Sequence, residues 1–183
     1  MFRTAPLPCL ALLLSLVVAA CGPVYRDPEV AMQPVPALDL ERYAGRWYEI
    51  ARFPVFFQEG CVAVTADYGP RADGGVDVLN ACRKGGLDGP LETATAVARR
   101  PDPAATDGRL KVRFAGVPVS GDYWVIFIDP DYRLAVVAVP SGRAGWILAR
   151  SPRIGSRELG LAKAALQAAG YDLDQLTMTP QPD

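Results

Sequence analysis

The sequence predicts an all-β domain of eight antiparallel strands with one helix near its C-terminus. Three observations predict it. Between residues 46 and 150 the chain alternates short runs rich in Val, Ile, Tyr, Trp and Phe with turns rich in Gly, Pro and Asp. Most of these turns are short, as antiparallel neighbours allow. Only beyond residue 155 does the apolar spacing become helical, at Leu159, Ala162, Leu166 and Ala169. Periodicity alone leaves two architectures open, a closed up-and-down barrel and a β-sandwich.

Residues 1–20 read as a secretory signal. Arg3 is their only charged side chain, and the apolar run 10–20 is too short for a comfortable transmembrane helix. Val18-Ala19-Ala20 then precede Cys21. Small residues directly before a cysteine resemble the lipoprotein box, which implies a lipidated Cys21 as the mature N-terminus. An ordinary signal peptide cleaved near Ala20 is the alternative. Cys9 is discarded with the leader in either case. Residues 21–37 are expected to be the lipidated cysteine and a tether, because Pro23, Pro28, Pro34 and Pro36 interrupt them and no apolar period runs through them. At about 3.1 Å per residue such a tether would reach roughly 50 Å.

The body spans residues 38–179. A short helical turn with Asp39 as its cap leads to a strand over 46–53, which Pro54 stops. Gly45 implies a bend or a close backbone approach at the start of that strand. The loop that follows carries Phe56 and Phe57, which either plug a gap over the core or line the mouth of a pocket. Strands over 61–68 and 76–82 flank Arg71-Ala72-Asp73-Gly74-Gly75, whose glycines supply left-handed turn conformations. Folding there brings Cys61 and Cys82 close. They are the thiols left to the mature chain in an oxidising compartment, so a disulfide is expected, with two free buried thiols as the alternative.

Residues 84–90 are Gly-rich without a phosphate-loop pattern. The next strand, 91–98, has a mostly small face at Glu92, Ala94, Ala96 and Ala98. Turned inward, that face leaves room for a ligand and makes Ala96 a candidate binding residue; tight packing against a large neighbour is the alternative. Strands over 109–114, 122–128, 132–139 and 145–150 complete the count. The segments 122–128 and 132–139 are apolar at nearly every position, so both of their faces are expected to be covered. The late helix can cover one face, starting at an N-cap Ser156 with Glu158 in its first turn and ending at Gly170. A short final strand is expected over 173–177, then a frayed tail at 180–183.

Three motifs in this frame resemble a known family. Gly45-Arg46-Trp47-Tyr48-Glu49-Ile50-Ala51-Arg52 is similar to the first signature of the lipocalins. Ile128-Asp129-Pro130-Asp131-Tyr132-Arg133-Leu134 and Gly145-Trp146-Ile147-Leu148-Ala149-Arg150 are similar to the second and third, in the family's order. The likeness extends over 38–179, especially to the bacterial outer-membrane and apolipoprotein D-like groups. It implies an eight-stranded up-and-down barrel with the helix packed outside. It also implies that Arg150 stacks over Trp47 at a closed end, with Gly45, Asp129 and Tyr132 completing the structural set. Tyr68, Tyr123 and Trp146 are the ligand-lining positions it suggests.

For function, the resemblance implies an outer-membrane lipoprotein whose domain faces the periplasm. Such a protein binds, stores or transports fatty acids or lysophospholipids in envelope maintenance. Gly22, where an Asp would signal retention, accords with outer-membrane sorting. A structural lipoprotein with a nearly filled barrel and a lipocalin-type isomerase are the alternatives.

Composition narrows these choices. The chain has 19 basic and 20 acidic residues, and this balance gives no sign of a nucleic-acid partner. It has no histidine, which removes Ser-His-Asp and Cys-His catalysis and every histidine metal site. No cofactor or metal is expected. Glu49 is the one acid placed awkwardly. Alternation from an inward Trp47 puts Glu49, Ala51 and Phe53 on the same side, where a carboxylate needs a partner. The expectation is that a bulge turns it outward.

Overall fold

The computed structural model describes residues 22–182; Cys9, Cys21 and the rest of the leader lie outside the described residues. Eight strands follow one another: β1 (Gly45–Arg52), β2 (Cys61–Pro70), β3 (Val76–Lys84), β4 (Leu91–Arg99), β5 (Arg109–Phe114), β6 (Gly121–Ile128), β7 (Leu134–Ala138) and β8 (Gly145–Ala149). Each pairs antiparallel with its successor, and β1 pairs with both β2 and β8. The sheet therefore closes into a barrel, which removes the exposed edges an open sheet would leave. A short helix, α1 (Leu40–Tyr43), precedes β1, and α2 (Ser156–Ala168) follows β8.

Alternation on the strands divides the apolar side chains into two layers. Trp47, Tyr68, Val78, Ala96, Leu110, Val125, Val137 and Leu148 pack inside the barrel. Leu134, Val136, Ala138, Ile147 and Ala149 face the other way, onto Ala162, Leu166 and Ala169 of the α2 side. This is why β7 is buried at every position. Burial of a side chain such as Leu166 is worth about 1.5–3 kcal/mol, and the stripe that supplies it is the helical period read from the sequence. The helix begins one residue earlier than expected. Gly155 is the N-cap, and its N–H donates to the Glu158 carboxylate at 2.8 Å.

The expected tether is not free. Residues 22–37 lie as a strap along the barrel, with Tyr25, Arg26 and Met32 buried. The Tyr25 and Asp27 N–H groups donate to the Gly142 and Gly170 carbonyls at 2.8 and 2.9 Å. Arg26 donates through Nε to the Ala169 carbonyl and through Nη1 to Pro140, both at 3.0 Å. A cation there also meets the negative end of the α2 dipole. Farther along, Val35 is clasped between Gly108 and Val125 by backbone hydrogen bonds of 2.8 and 2.9 Å. A Cβ on Gly108 would stand 2.4 Å from the Val125 carbonyl oxygen, so that crossing requires glycine.

The C-terminal tail is not frayed either. Residues Leu173–Gln175 form a 3-10 turn rather than a strand, and the last strand is β9 (Thr177–Met178), paired with β1 at Ala51 and Arg52. It fills the gap where β2 bends away at a bulge, marked by Ala63 at φ 50°. The Ala63 N–H donates to the Pro180 carbonyl at 2.8 Å. Gln181 Nε2 then donates to the carbonyls of Glu49 and Val64 at 2.8 and 2.9 Å, joining β1 to β2. Residues 180–182 thus belong to the barrel wall.

Candidate functional site

The up-and-down topology gives the barrel two unlike ends. One end is closed by α1 and by Arg150. The Arg150 guanidinium carbon lies 4.0 Å from the Trp47 ring centroid. Its nitrogens donate to carbonyls on both sides of the closure, Arg42 (2.9 Å), Ala44 (2.7 Å), Arg46 (2.8 Å) and Tyr132 (3.2 Å). Partial burial lowers the Arg150 pKa from its ordinary value, but a guanidinium stays charged at neutral pH. Gly45 has φ 93°, and a Cβ there would press on Arg150 Nη1 at 3.2 Å. Tyr132 accepts the Asp39 N–H at 2.9 Å, and Asp129 accepts the N–H groups of Arg133 and Leu134, which shapes the β6–β7 turn. All five signature residues named from the sequence meet at this end or in its turns.

Directly above lies a floor of tyrosines. The Tyr123 hydroxyl is 2.8 Å from the hydroxyls of both Tyr43 and Tyr68. The Tyr43 ring stacks on Tyr68 at 5.3 Å and tilts against Trp47 at 5.0 Å. Burial pushes Tyr68 up to about 12 and holds Tyr43 and Tyr123 well above the ordinary phenol value. All three are neutral at physiological pH, and each hydroxyl finds its partner within the group. Tyr43 was not among the expected site residues. Its place in a one-turn helix hides an inward direction that only the closure of the barrel reveals.

The opposite end is uncapped, and polar groups collect near it. Glu49 is 3% exposed. The expected bulge exists, but it falls between Glu49 and Ala51, one step too late to turn the carboxylate outward. Glu49 therefore keeps the side of Trp47, opposite Leu148 of the interior layer, while Ala51 and Phe53 join the helix side. Its partners are Arg52 Nη1 (2.6 Å), the Thr179 hydroxyl (2.6 Å) and Gln58 Nε2 (2.8 Å). Gln58 Oε1 in turn accepts the Trp146 indole N–H at 2.9 Å. The buried charge is compensated by an ion pair and hydrogen bonds, as a low-dielectric site demands.

Between floor and mouth the interior is apolar. Ala96, Ala98, Leu110, Val125 and Leu148 belong to one buried cluster, with Phe114 and Trp146 packed against it. The small face of β4 points inward at Ala96 and Ala98. Ala94, two residues up on the same face, is exposed. Here β4 and β5 part, since their last pair is Ala96 with Phe114. A cleft of about 710 Å³ lies at this point, lined by Asp77, Thr95, Val97 and Arg113 of the outward-facing positions together with Ala96, Phe114 and Val117. That volume is in the range of small-molecule sites.

Of the four ligand positions named from the sequence, Tyr68 and Tyr123 touch in the floor, Ala96 lines the cleft, and Trp146 stands on a separate wall tied to Gln58. Cys61 and Cys82 form a disulfide with a Cα separation of 5.5 Å, so neither presents a thiolate, even with Glu92 nearby. The barrel interior is thus apolar, with a hydrogen-bonded polar group toward its open end.

A family model described as a lipocalin-like domain matches residues 38–181. The chain belongs to the lipocalin family. This lipocalin is 39% identical over 159 residues to temperature-induced lipocalin-1 of Arabidopsis thaliana, covering 83% of this chain and 84% of the relative. It is 37% identical to the outer membrane lipoprotein Blc of Escherichia coli strain K12 over an alignment of 185 residues that covers 98% of each chain. Apolipoprotein D of Cavia porcellus is 30% identical over 180 residues, covering 94% of this chain and 93% of the relative. Among solved structures, insecticyanin from the tobacco hornworm Manduca sexta matches with a TM-score of 0.68 at 19% identity, over 88% of each chain. Lobster apocrustacyanin A1 matches with a TM-score of 0.61 at 17% identity, over 82% of this chain and 91% of its own. These two show the shared fold.

Proposed function

We propose that this lipocalin binds single-chain lipids, fatty acids or lysophospholipids, in the upper half of its barrel. In this reading it stores or transports them at the outer membrane. It is held there by a lipidated Cys21 with the barrel in the periplasm. It works by binding and release rather than by catalysis. The observation that carries the reading is the polarity gradient inside the barrel. An apolar interior that includes Ala96, with Phe114 packed against it, adjoins the Arg52, Glu49 and Gln58 group, which lies toward the mouth. An acyl chain would lie in the chamber and its head group near the charged residues. The floor of Trp47, Tyr43, Tyr68 and Tyr123 is packed, so the chain would stop above it.

The location is supported by two features. The sequence Val18-Ala19-Ala20-Cys21 has the small residues that precede lipidated cysteines. The relative covering 98% of this chain is named an outer membrane lipoprotein. Intact-mass analysis and membrane fractionation test the anchor. The parent should carry acyl mass and sediment with outer membranes, and Cys21→Ser should do neither. Equal sedimentation of both would overturn it. The lipid itself is tested by extracting the purified protein. Stoichiometric single-chain lipid is expected, whereas a protein free of lipid after membrane purification would point to a filled barrel acting through protein contacts.

A further inference from the structure

The rim of the barrel mouth carries large apolar side chains that the fold does not bury. Ten large apolar side chains are exposed among the described residues, and six of them lie on the loops or strand ends at the mouth. They are Phe56 and Phe57 between β1 and β2, Leu87 and Leu91 between β3 and β4, and Val117 and Val119 between β5 and β6. Phe56 is 89% exposed and Val119 70%. The two rings of Phe56 and Phe57 meet edge to face at 5.4 Å, and both are exposed.

The closed end is the opposite. Among the described residues its loops expose no large apolar side chain, and they carry Arg71, Asp73, Arg99, Asp102, Asp131 and Arg133. Several of these are paired with one another. Asp73 accepts from Arg99 at 2.7 Å, and that guanidinium holds its carboxyl well below the usual carboxylate range. Exposed large apolar side chains thus gather at the mouth, among exposed charges such as Glu59, Asp88 and Arg143, and are missing from the loops of the other end among the described residues. Apolar surface gathered at one end in this way marks an interaction site rather than a random scatter.

The path of the strap identifies the occupant. Its first described residue, Gly22, accepts a hydrogen bond from Arg143 at 3.1 Å in the β7–β8 loop, which is a loop of the mouth. Val24, the seventh exposed apolar residue at this end, stands against Gly142 of the same loop. The Tyr25 hydroxyl donates to the Pro54 carbonyl at 2.6 Å, at the start of the Phe56 loop. The strap is therefore fixed at the apolar rim as far as residue 22, the neighbour of Cys21 in the sequence.

We propose that the rim is a membrane-docking surface. The mouth of the barrel sits against the phospholipid bilayer, with Phe56, Phe57, Leu91 and Val119 entering its interface and the lumen opening toward the lipid. Aromatic and aliphatic side chains on an otherwise polar body are the groups that partition into that zone. A chain anchored at Cys21 is held with this end toward the bilayer, whereas a 50 Å tether would have left its orientation free. Lipid would then pass between bilayer and chamber without crossing water. The cleft between β4 and β5 opens beside Val117 on the same rim.

The inference uses the anchor of the proposed function, and the test separates the two. Phe56→Trp and, at the closed end, Ala104→Trp are placed in the full-length lipidated protein, both at exposed positions where folding is unaffected. Each is reconstituted with vesicles of three parts dibrominated phosphatidylcholine to one part phosphatidylglycerol. The emission of the parent's three tryptophans is subtracted. The added tryptophan at residue 56 should lose most of its emission to bromine quenching, and the one at 104 should lose none. No quenching at either site, or equal quenching at both, overturns the proposal. A blue-shifted but unquenched tryptophan at 56 also overturns it, because the rim is then covered by protein, either the leader segment or a second copy of the chain. If intact mass shows no acyl groups, the anchor reading fails alone. The rim is then judged by the same quenching contrast with vesicles added in excess to the unanchored protein.

Discussion

Replacing Arg150 by alanine tests the closed end in a way the structure makes quantitative. The substitution removes a guanidinium 4.0 Å from the Trp47 centroid, a contact worth about 1 kcal/mol when partly buried. It also removes donors to the carbonyls of Arg42, Ala44, Arg46 and Tyr132. A hydrogen bond from a charged group contributes about 1.5–3 kcal/mol. These carbonyls lie near the surface, so water replaces most of what is lost, and we count roughly one such bond. The expected loss is about 3 kcal/mol. For a protein of this size that lowers Tm by about 6–12 °C.

Lysine distinguishes charge from geometry. An ammonium keeps the charge but cannot span four carbonyls and an indole at once. Arg150→Lys should therefore recover less than half of the loss. Urea midpoints of the three proteins, with unchanged slopes, give the values. Ligand affinity should be unaffected, since the packed tyrosine floor separates Arg150 from the chamber. A loss below about 1 kcal/mol for alanine, or full recovery with lysine, would refute the account of the closed end.

Two further outcomes follow from the interior. The buried tyrosines have folded pKa values raised above those of the unfolded chain, with Tyr68 at about 12. Their contribution is complete below about pH 10, the unfolded value, and is lost as pH rises through about 12; urea midpoints should hold to pH 10 and fall beyond it, and a flat profile to pH 12 would contradict the buried triad. Tyr123→Phe should cost about 1–3 kcal/mol by leaving the Tyr43 and Tyr68 hydroxyls unpartnered, which a urea titration reads directly. The Cys61–Cys82 bridge closes a loop of sequence separation 21, worth about 3 kcal/mol. Reduction should lower the melting temperature and leave the circular dichroism of the fold intact, whereas native labelling of both residues by a thiol reagent would contradict the bridge.

The strands and the late helix were legible because each leaves a local mark, whereas the Trp47–Arg150 closure came from the resemblance. Alternation gives the strands, Gly and Asp clusters give the turns, and the spacing from Leu159 to Ala169 gives the helix. Closure into a barrel left no such mark and came from the resemblance. The strap was missed because an extended segment held by single side chains, Tyr25, Arg26 and Val35, has no period to detect. The tail was missed for the same reason, since Gln181 joins β1 and β2 through one amide. Glu49 shows a third limit. A bulge was expected, but its position decides which residues change face. The bulge lies in the β1–β8 register, beside Ala51 and Arg52, which β9 pairs on the other edge, and no signal within β1 itself encodes its position. Tyr43 completes the floor for a related reason. A single helical turn has too few residues to show which side is inward.

The central claim is that the chamber holds a single-chain lipid, and titration of delipidated protein with a fluorescent fatty acid tests it most directly. A sixteen-carbon chain gains about 0.8 kcal/mol per buried CH₂, and with roughly ten carbons accommodated above the floor the gross gain is about 8 kcal/mol. The head-group contacts near Arg52 offset part of the ordering cost of about 4 kcal/mol or more, so a net gain of roughly 5–7 kcal/mol and a Kd of roughly 10–200 µM are expected. The parent should saturate at one probe per barrel. Ala96→Trp, which puts an indole into the wall shared by the cleft and the interior, should remain folded and weaken binding at least about tenfold, a 1.4 kcal/mol loss. Absence of saturable binding by the parent to both fatty acids and lysophospholipids would contradict the account.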